Sequence, residues 1–189
     1  GSFNGVLLTV TVTVLSFLGL YYAGQKLIDN ANLSRLSKPI AIALMIAIGI
    51  GLHNFGEGLA IGAAVGLGSI AFSTFLIVGF ALHNTTEGIA IAGPLSKDKT
   101  STRSLIGKLV GLGLIAGTPA IFGAWIGGFS YSPFSSVVFL AIGAGAIFQV
   151  IVVIIRMIRE EGDKNLSSAS VVSGISIGML VMYLTSILV

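Results

Sequence analysis

Two histidines and two glutamates are the side chains in this sequence best suited to chemistry. His53 and His83 are its only histidines, and each begins the same motif, His-Asn-x-x-Glu-Gly, so that Glu57 and Glu87 follow four residues later. Residues four apart lie on one face of a helix, about one turn apart. Each motif therefore offers an imidazole and a carboxylate side by side, if it is helical.

The sequence around these motifs is apolar, which makes a charge there costly. Of the seventeen charged residues, only Glu57 and Glu87 lie outside three polar segments, 24–38, 95–108 and 156–166. An ionisable group at membrane depth is unfavourable unless it is paired, and is by default a candidate for function. Imidazole nitrogen combined with carboxylate oxygen suits zinc, iron, manganese, cobalt, nickel or cadmium. A divalent cation between the two carboxylates would also cancel their charge.

The residues next to these side chains extend the candidate site. Asn54 and Asn84 lie about 100° round the helix from the adjacent histidine, where they could flank the site with a carbonyl oxygen. Gly58 and Gly88 remove side-chain bulk after the carboxylates, and Gly56 loosens the first helix, so that backbone carbonyls could become further ligands. Thr85 is expected only to bond back to its own helix, as is its neighbour Thr86. The predicted metal ligands are His53, Asn54, Glu57, His83, Asn84 and Glu87.

The composition predicts a membrane protein. Hydrophobic residues make up 54% of the chain and charged residues 9%, whereas charged residues make up about 25% of a soluble domain. Six apolar runs reach or approach the ~20 residues that a helix needs to cross a bilayer. These runs are 5–23, 39–63, 67–94, 105–128, 133–155 and 168–188. We expect one all-α transmembrane bundle over 1–189, with the metal site on helices 39–63 and 67–94.

The distribution of charge predicts the topology. Alternating the six spans places the three polar segments, with all ten Lys and Arg, on one face. The positive-inside rule makes that face cytoplasmic and both termini extracytoplasmic, as in a multi-pass protein of the plasma membrane. The pI near 9.4 then reflects topology, and no nucleic-acid partner is expected. The absence of cysteine excludes thiolate ligands and disulfides.

The two motifs belong to an internal repeat. A shift of thirty residues aligns eight identical residues within thirteen positions, 49–61 with 79–91. Consecutive spans run in opposite directions, so the copies are antiparallel, as in transporters that bind substrate near the bilayer midplane. We estimate depths from a turn near residue 66, with a helical rise of about 1.5 Å per residue. Both histidines then lie near the middle of the membrane. Glu57, however, lies roughly 14 Å from the outer end of its helix and Glu87 roughly 31 Å from the outer end of its own. We therefore expect either a shift or break of the helices at Gly56 and Gly58, or a ladder of two ions.

Two sequence blocks resemble a known transporter family. LHNFGEGLAIGAA at 52–64 and LHNTTEGIAIAGPL at 82–95 are similar to the fourth and fifth spans of the ZIP family of metal-ion transporters. The resemblance implies that the six predicted ligands form a binuclear site and that the chain moves a divalent ion into the cytoplasm. Zinc is the first choice of substrate, with iron, manganese or cadmium as alternatives.

The sequence departs from the family pattern at several points. The family usually has proline before the glutamate of each motif, where this chain has Gly56 and Thr86. The family has eight spans, so six spans would lack the first two. The family often has acidic residues on its sixth and seventh spans, and these are absent from this chain. Residues 133–155 offer only Gln149. We expect Gln149 to form a helix-to-helix hydrogen bond rather than to act as a transport-path ligand. Glycines at 111–128 and 143–145 predict close helix packing.

Other functions remain open at this stage. The motif residues could be structural contacts between helices, typically worth about 0.6 kcal/mol each in a membrane. His53 and His83 could hold a haem in a membrane electron carrier, and the carboxylates could relay protons or sodium without a transition metal. The chain lacks His-Glu-x-x-His, so enzymatic activity is not expected. The expected partners are the lipid bilayer and divalent metal ions, and a homodimer is one assembly left open.

Overall fold

The computed structural model of the protein describes residues 4–30, 36–96, 101–130, 132–160 and 167–188. Within these ranges the fold is all-helical, with six helices and no strand, which confirms the predicted class. The helices are α1 (Gly5–Asp29), α2 (Lys38–Gly66), α3 (Ile70–Leu95), α4 (Thr102–Phe129), α5 (Pro133–Glu160) and α6 (Ala169–Leu188). Much of the predicted polar segments, at 31–35, 97–100 and 161–166, lies outside the described residues.

Helices α1 to α5 are each long and apolar enough to cross a membrane, and α6 has a shorter apolar stretch over Ala169–Leu184. The protein is therefore an integral, multi-pass membrane protein.

Helices α1 and α5 extend beyond the apolar runs of the sequence. Arg156 of α5 donates a hydrogen bond to the Tyr21 hydroxyl of α1, and its guanidinium lies 4.8 Å from the centre of that ring. A long cationic side chain can pack its stem on apolar surface while its charge reaches a polar partner.

Local sequence explains how α2 and α3 become antiparallel neighbours. Pro39 lies in the first turn of α2, where its missing N–H costs no hydrogen bond. Gly68, with φ of 76°, lies in the short turn that follows α2 and adopts a left-handed conformation that is easy only for glycine. The backbone N–H of Gly68 donates to the Val65 carbonyl and closes the turn. The two repeat copies therefore face each other across a very short connection.

The closest packing in the bundle joins α2 to α4. A Cβ atom added at Gly58 would collide with the backbone carbonyl of Ala120, and one added at Gly123 would collide with the carbonyl of Phe55. The two helices therefore touch backbone to backbone, as small residues permit between membrane helices. This confirms the packing predicted for the C-terminal part of 111–128. Gly117 does not share it, since no described neighbour lies within 4 Å of its Cβ position.

Helix α5 is held against α1 by hydroxyl groups and against α2 by small residues. Thr13 Oγ1 donates to the Ala141 carbonyl at 3.2 Å, and Ser16 Oγ donates to the Ile142 carbonyl at 2.9 Å. On its other side, α5 packs against α2 through Gly143. Helix α2 thus lies between α3, α4 and α5, and its fully buried residues, among them Ile46, form the core of the bundle.

Candidate metal site

Glu57 lies at the centre of the predicted site. Its side chain is only 7% exposed, and its Oε1 is hydrogen-bonded to His83 Nε2 of α3 at 2.5 Å. The same Oε1 lies 3.4 Å from His53 Nε2, one turn earlier on α2. Its second oxygen, Oε2, accepts a hydrogen bond from Asn84 Nδ2 at 3.4 Å. One carboxylate therefore joins residues from both copies of the motif.

The second carboxylate, Glu87, approaches the same place from α3. Its Oε1 lies 4.0 Å from His53 Nε2. Its Oε2 is buried and has no hydrogen-bond partner among the residues that the structure describes. His53 is therefore the shared neighbour of both glutamates, and the four ionisable residues of the two motifs are brought together.

This convergence corrects the expectation that straight helices would separate the glutamates. Side chains on a helix lean toward its N-terminus. Because α2 and α3 are antiparallel, Glu57 leans away from the connecting turn while Glu87 leans toward it, and both side chains reach the level of the histidines. Helix α2 continues unbroken through Gly56 and Gly58, so of the alternatives left open by the sequence the break does not occur.

The two asparagines are each anchored through the side-chain nitrogen. Asn54 is 3% exposed, and its Nδ2 donates to the Ala116 carbonyl of α4 at 3.1 Å, whereas Nδ2 of Asn84 donates to Glu57. Both acceptors can only accept, and this fixes the orientation of each amide. The Oδ1 atoms of Asn54 and Asn84 are buried without hydrogen-bond partners in the described part of the chain. Asn54 thus ties α2 to α4, and Asn84 ties α3 to Glu57 of α2.

The spacing of the donor atoms is close to that of a metal site. Three residues, His53, Glu57 and His83, each offer one ligand atom, and these three atoms lie within 4.8 Å of one another. Ligands about 2 Å from a tetrahedral zinc ion stand about 3.3 Å apart. To hold one ion, the 2.5 Å contact between Glu57 Oε1 and His83 Nε2 would have to widen, and the longest separation would have to shorten by about 1.5 Å.

The site opens into a cavity of about 530 Å³ bounded by α2, α3, α5 and α6. The sequence did not identify several of its lining residues, among them Phe80, Gly143 and Met182. The Phe80 ring meets the His83 imidazole edge to face, with centroids 5.5 Å apart. Its position three residues before His83, on the same helix face, is the signal that could have identified it. Apart from the ligand side chains, the cavity lining is mostly apolar.

Gly143 has a second role besides helix packing. A Cβ atom there would lie 3.2 Å from His53 Cα and 3.7 Å from His53 Nδ1. A larger residue would therefore press on the backbone and ring of one predicted ligand. No sequence signal distinguishes this glycine from its neighbours at 141–146, because its role depends on which helix lies opposite.

Two other expectations have different outcomes. Thr85 Oγ1 donates to the Ala81 carbonyl at 3.1 Å and Thr86 Oγ1 to the His83 carbonyl at 2.6 Å, so the predicted bonds to their own helix are confirmed.

The predicted helix-to-helix hydrogen bond of Gln149 is wrong. Its side chain is buried, and both amide atoms are without a hydrogen-bond partner among the described residues.

No protein-family model, curated protein or solved structure matches this chain. The chemistry of the site is therefore the basis for assigning a function. That chemistry combines two imidazoles, two carboxylates and two amide oxygens on a pair of antiparallel apolar helices.

Proposed function

We propose that this chain is a divalent metal-ion transporter of the ZIP type, which moves zinc or a related ion across the membrane into the cytoplasm. The observation that carries the proposal is the meeting of His53, Glu57 and His83, with ligand atoms within 4.8 Å of one another, on two membrane-spanning helices. Charge at this depth is unfavourable without a partner, and a divalent cation is the partner best matched to these donors.

The existing contacts of Glu57 support reversible binding. In the structure its carboxylate is stabilised by the two imidazoles and by Asn84. An arriving ion would replace those hydrogen bonds with metal–ligand bonds and neutralise the carboxylates of Glu57 and Glu87. The amide oxygens of Asn54 and Asn84, which are buried without hydrogen-bond partners in the described part of the chain, are the further candidate ligands. Exchange between two sets of partners keeps the charge compensated with and without the ion, which a carrier requires.

The ligand types favour zinc over harder or softer ions. Zinc binds imidazole nitrogen and carboxylate oxygen in tetrahedral sites, and iron, manganese and cadmium are the next candidates. Sodium and calcium prefer sites made of oxygen atoms alone, so the two imidazoles argue against a simple cation relay. The direction of transport, into the cytoplasm, is what the resemblance to the ZIP family implies. The lysines and arginines at one end of the spans indicate which face is cytoplasmic.

A haem site is less well supported by the same geometry. Bis-histidine haem ligation requires both imidazole nitrogens to face one iron atom without a competing group between them. Glu57 Oε1 lies between the two rings, 3.4 Å from His53 Nε2 and 2.5 Å from His83 Nε2. The carboxylate therefore stands where the haem iron would have to be.

Zinc uptake by reconstituted liposomes tests the proposal. The purified chain is placed in vesicles that contain a fluorescent zinc indicator, and zinc is added outside. We expect uptake by the wild-type chain and none by the Glu57→Ala/Glu87→Ala variant, because both carboxylate ligands are gone. Thr85→Val is the matched control, since the Thr85 hydroxyl donates to the Ala81 carbonyl of its own helix. Equal uptake by the double variant would contradict the proposal.

A further inference from the structure

The two sides of the candidate metal site are packed differently. On the side of the turn between α2 and α3, the cavity of about 530 Å³ reaches Ala60 of α2 and Phe80 of α3. Ala60 lies about 10 Å beyond His53 along α2, and Phe80 lies about 4.5 Å before His83 along α3. The cavity therefore joins the site to the half of the bundle that contains this turn.

Buried apolar side chains cover the site toward the other end of the bundle. We call this the basic end, because Lys38 of α2 and Arg156 of α5 lie there. Five members of the core cluster, which we call the apolar plug, are Ile46, Ile50, Ile91, Leu95 and Val150. Each of the five is at most 5% exposed, and none is among the described residues that line the cavity.

The apolar plug lies between the predicted ligands and the basic end. Ile50 precedes His53 by three residues on α2, and Ile91 follows Glu87 by four residues on α3, so each lies about one turn from a ligand. An ion that moves from the site toward the basic end has to lose its water among close-packed aliphatic side chains, which is unfavourable. Apolar constrictions close channels in this way, by excluding water. The site is therefore shut on this side.

The internal repeat places equivalent residues on opposite sides of the site. The shift of thirty residues that aligns the motifs pairs Ile50 with Phe80 and Ile91 with Ile61. Because α2 and α3 are antiparallel, Ile50 and Ile91 lie toward the basic end, whereas Phe80 and Ile61 lie toward the connecting turn. Ile50 is 2% and Ile91 4% exposed, while their two counterparts are only partly buried. The same two motif positions are thus packed shut on one side of the site and open on the other.

We infer that the apolar plug is a gate, closed in this structure, and that Phe80 and Ile61 form a second gate, which is open. The inference rests on the proposed function. Transporters built from inverted repeats expose a central site to one side at a time by moving one group of helices against another. An exchange of conformations between the two copies brings Phe80 and Ile61 together over the site and separates Ile50 from Ile91. The ion then leaves toward the basic end, which the positive-inside rule makes cytoplasmic.

Single cysteines test the two gates, because the chain has none of its own. Ala60→Cys reports on the cavity and Ile91→Cys on the apolar plug, and Val150→Cys is a second plug variant with a smaller change of volume. Each variant is placed in liposomes with a charged, membrane-impermeant methanethiosulfonate inside and outside, and mass spectrometry follows the modified fraction with time. Zinc is either absent or added outside.

Without zinc, we expect both plug variants to react about 100-fold more slowly than Ala60→Cys, as for a gate that is open about 1% of the time. Zinc should raise the rates of both plug variants about tenfold, because each passage of an ion opens the plug. Calorimetry should give Val150→Cys a zinc affinity within about twofold of the wild-type chain, since none of the predicted ligands is changed.

The outcomes separate this inference from the proposed function. Zinc uptake while both plug variants stay protected overturns the inference, because the plug is then static core, and leaves the proposed function intact. Rapid modification of both plug variants without zinc, or protection of Ala60→Cys, also overturns it. Absence of zinc uptake by the wild-type chain overturns the proposed function itself, and with it the gating role of these residues.

Discussion

The two copies of the repeated motif have nearly the same sequence but different surroundings. In the first copy, on α2, Glu57 is 7% exposed and Gly58 presses against the backbone of Ala120. In the second copy, on α3, Glu87 is 16% exposed, and Gly88 has no described neighbour within 4 Å of its Cβ position. The repeat thus supplies like candidate ligands to both halves of the candidate site, whereas only the half on α2 is closely packed.

The positions of the two helices in the bundle explain this difference. In the most apolar stretch of α2, 56% of the residues are buried inside the protein, whereas in the corresponding stretch of α3 only 17% are buried. Helix α2 is enclosed by α3, α4 and α5, while α3 packs mainly against α2. The half-site on α2 is therefore rigid, and the half-site on α3 has room to adjust around an ion. Matched substitutions in the two copies should have unequal effects.

The largest difference is expected for alanine at the paired glycines. Gly58→Ala forces a methyl group into the Ala120 carbonyl, which cannot move without shifting α4, so we expect a loss of about 3 kcal/mol or more of stability. Gly88→Ala meets no described neighbour, so it should be neutral or stabilise α3 by up to about 1 kcal/mol. Thermal unfolding of both variants in the same detergent measures the difference. Equal effects would show that the two copies are packed alike.

A smaller difference is expected for the two glutamates. Glu57 contacts both imidazoles, whereas Glu87 approaches only His53, at 4.0 Å. We expect Glu57→Gln to weaken zinc binding about 100-fold and Glu87→Gln about tenfold, as measured by calorimetry. Unfolding curves of the two variants without zinc serve as the control for misfolding. A larger loss for Glu87→Gln would place the ion nearer to α3 than we propose.

The smallest difference is expected in the stability contributed by the asparagines. Asn54 links α2 to the Ala116 carbonyl of α4, while Asn84 donates only a long hydrogen bond to Glu57. Loss of an interhelical hydrogen bond in a membrane protein costs about 0.6 to 1.7 kcal/mol, so Asn54→Ala should lower stability by about 1 kcal/mol. Asn84→Ala should lower it by less than about 0.5 kcal/mol. Denaturation in mixed micelles compares them, and the reverse order would contradict the anchoring role of Asn54.

Features governed by local sequence were predicted well. The helices agree with the apolar runs, because a backbone in lipid must satisfy its hydrogen bonds within the helix. The bonds of Thr85 and Thr86 to their own helix also follow from local chemistry. The pairing of the two motifs followed from the repeat and from the short connection between α2 and α3.

Features that depend on which particular residues meet between helices were mostly not predicted. The meeting of Glu57 with Glu87 around His53 depends on the direction in which antiparallel side chains lean, which a depth estimate along the backbone omits. The contact of Gly58 with Ala120 requires knowing that α4 lies against α2. The unpaired state of Gln149 likewise depends on which residues of α1 and α2 face it. None of these neighbours can be read from the order of residues along one helix.

The most direct test of the metal site is calorimetric titration of zinc into the detergent-purified chain, beside the Glu57→Ala/Glu87→Ala variant at the same concentration. The account predicts saturable binding by the wild-type chain, with a Kd of about 1 µM or tighter, and no saturable heat with the variant. Removal of two buried carboxylates makes membrane insertion easier, so the variant should still fold. Equal binding by both proteins, or no binding by either, would contradict the site proposed for these two helices.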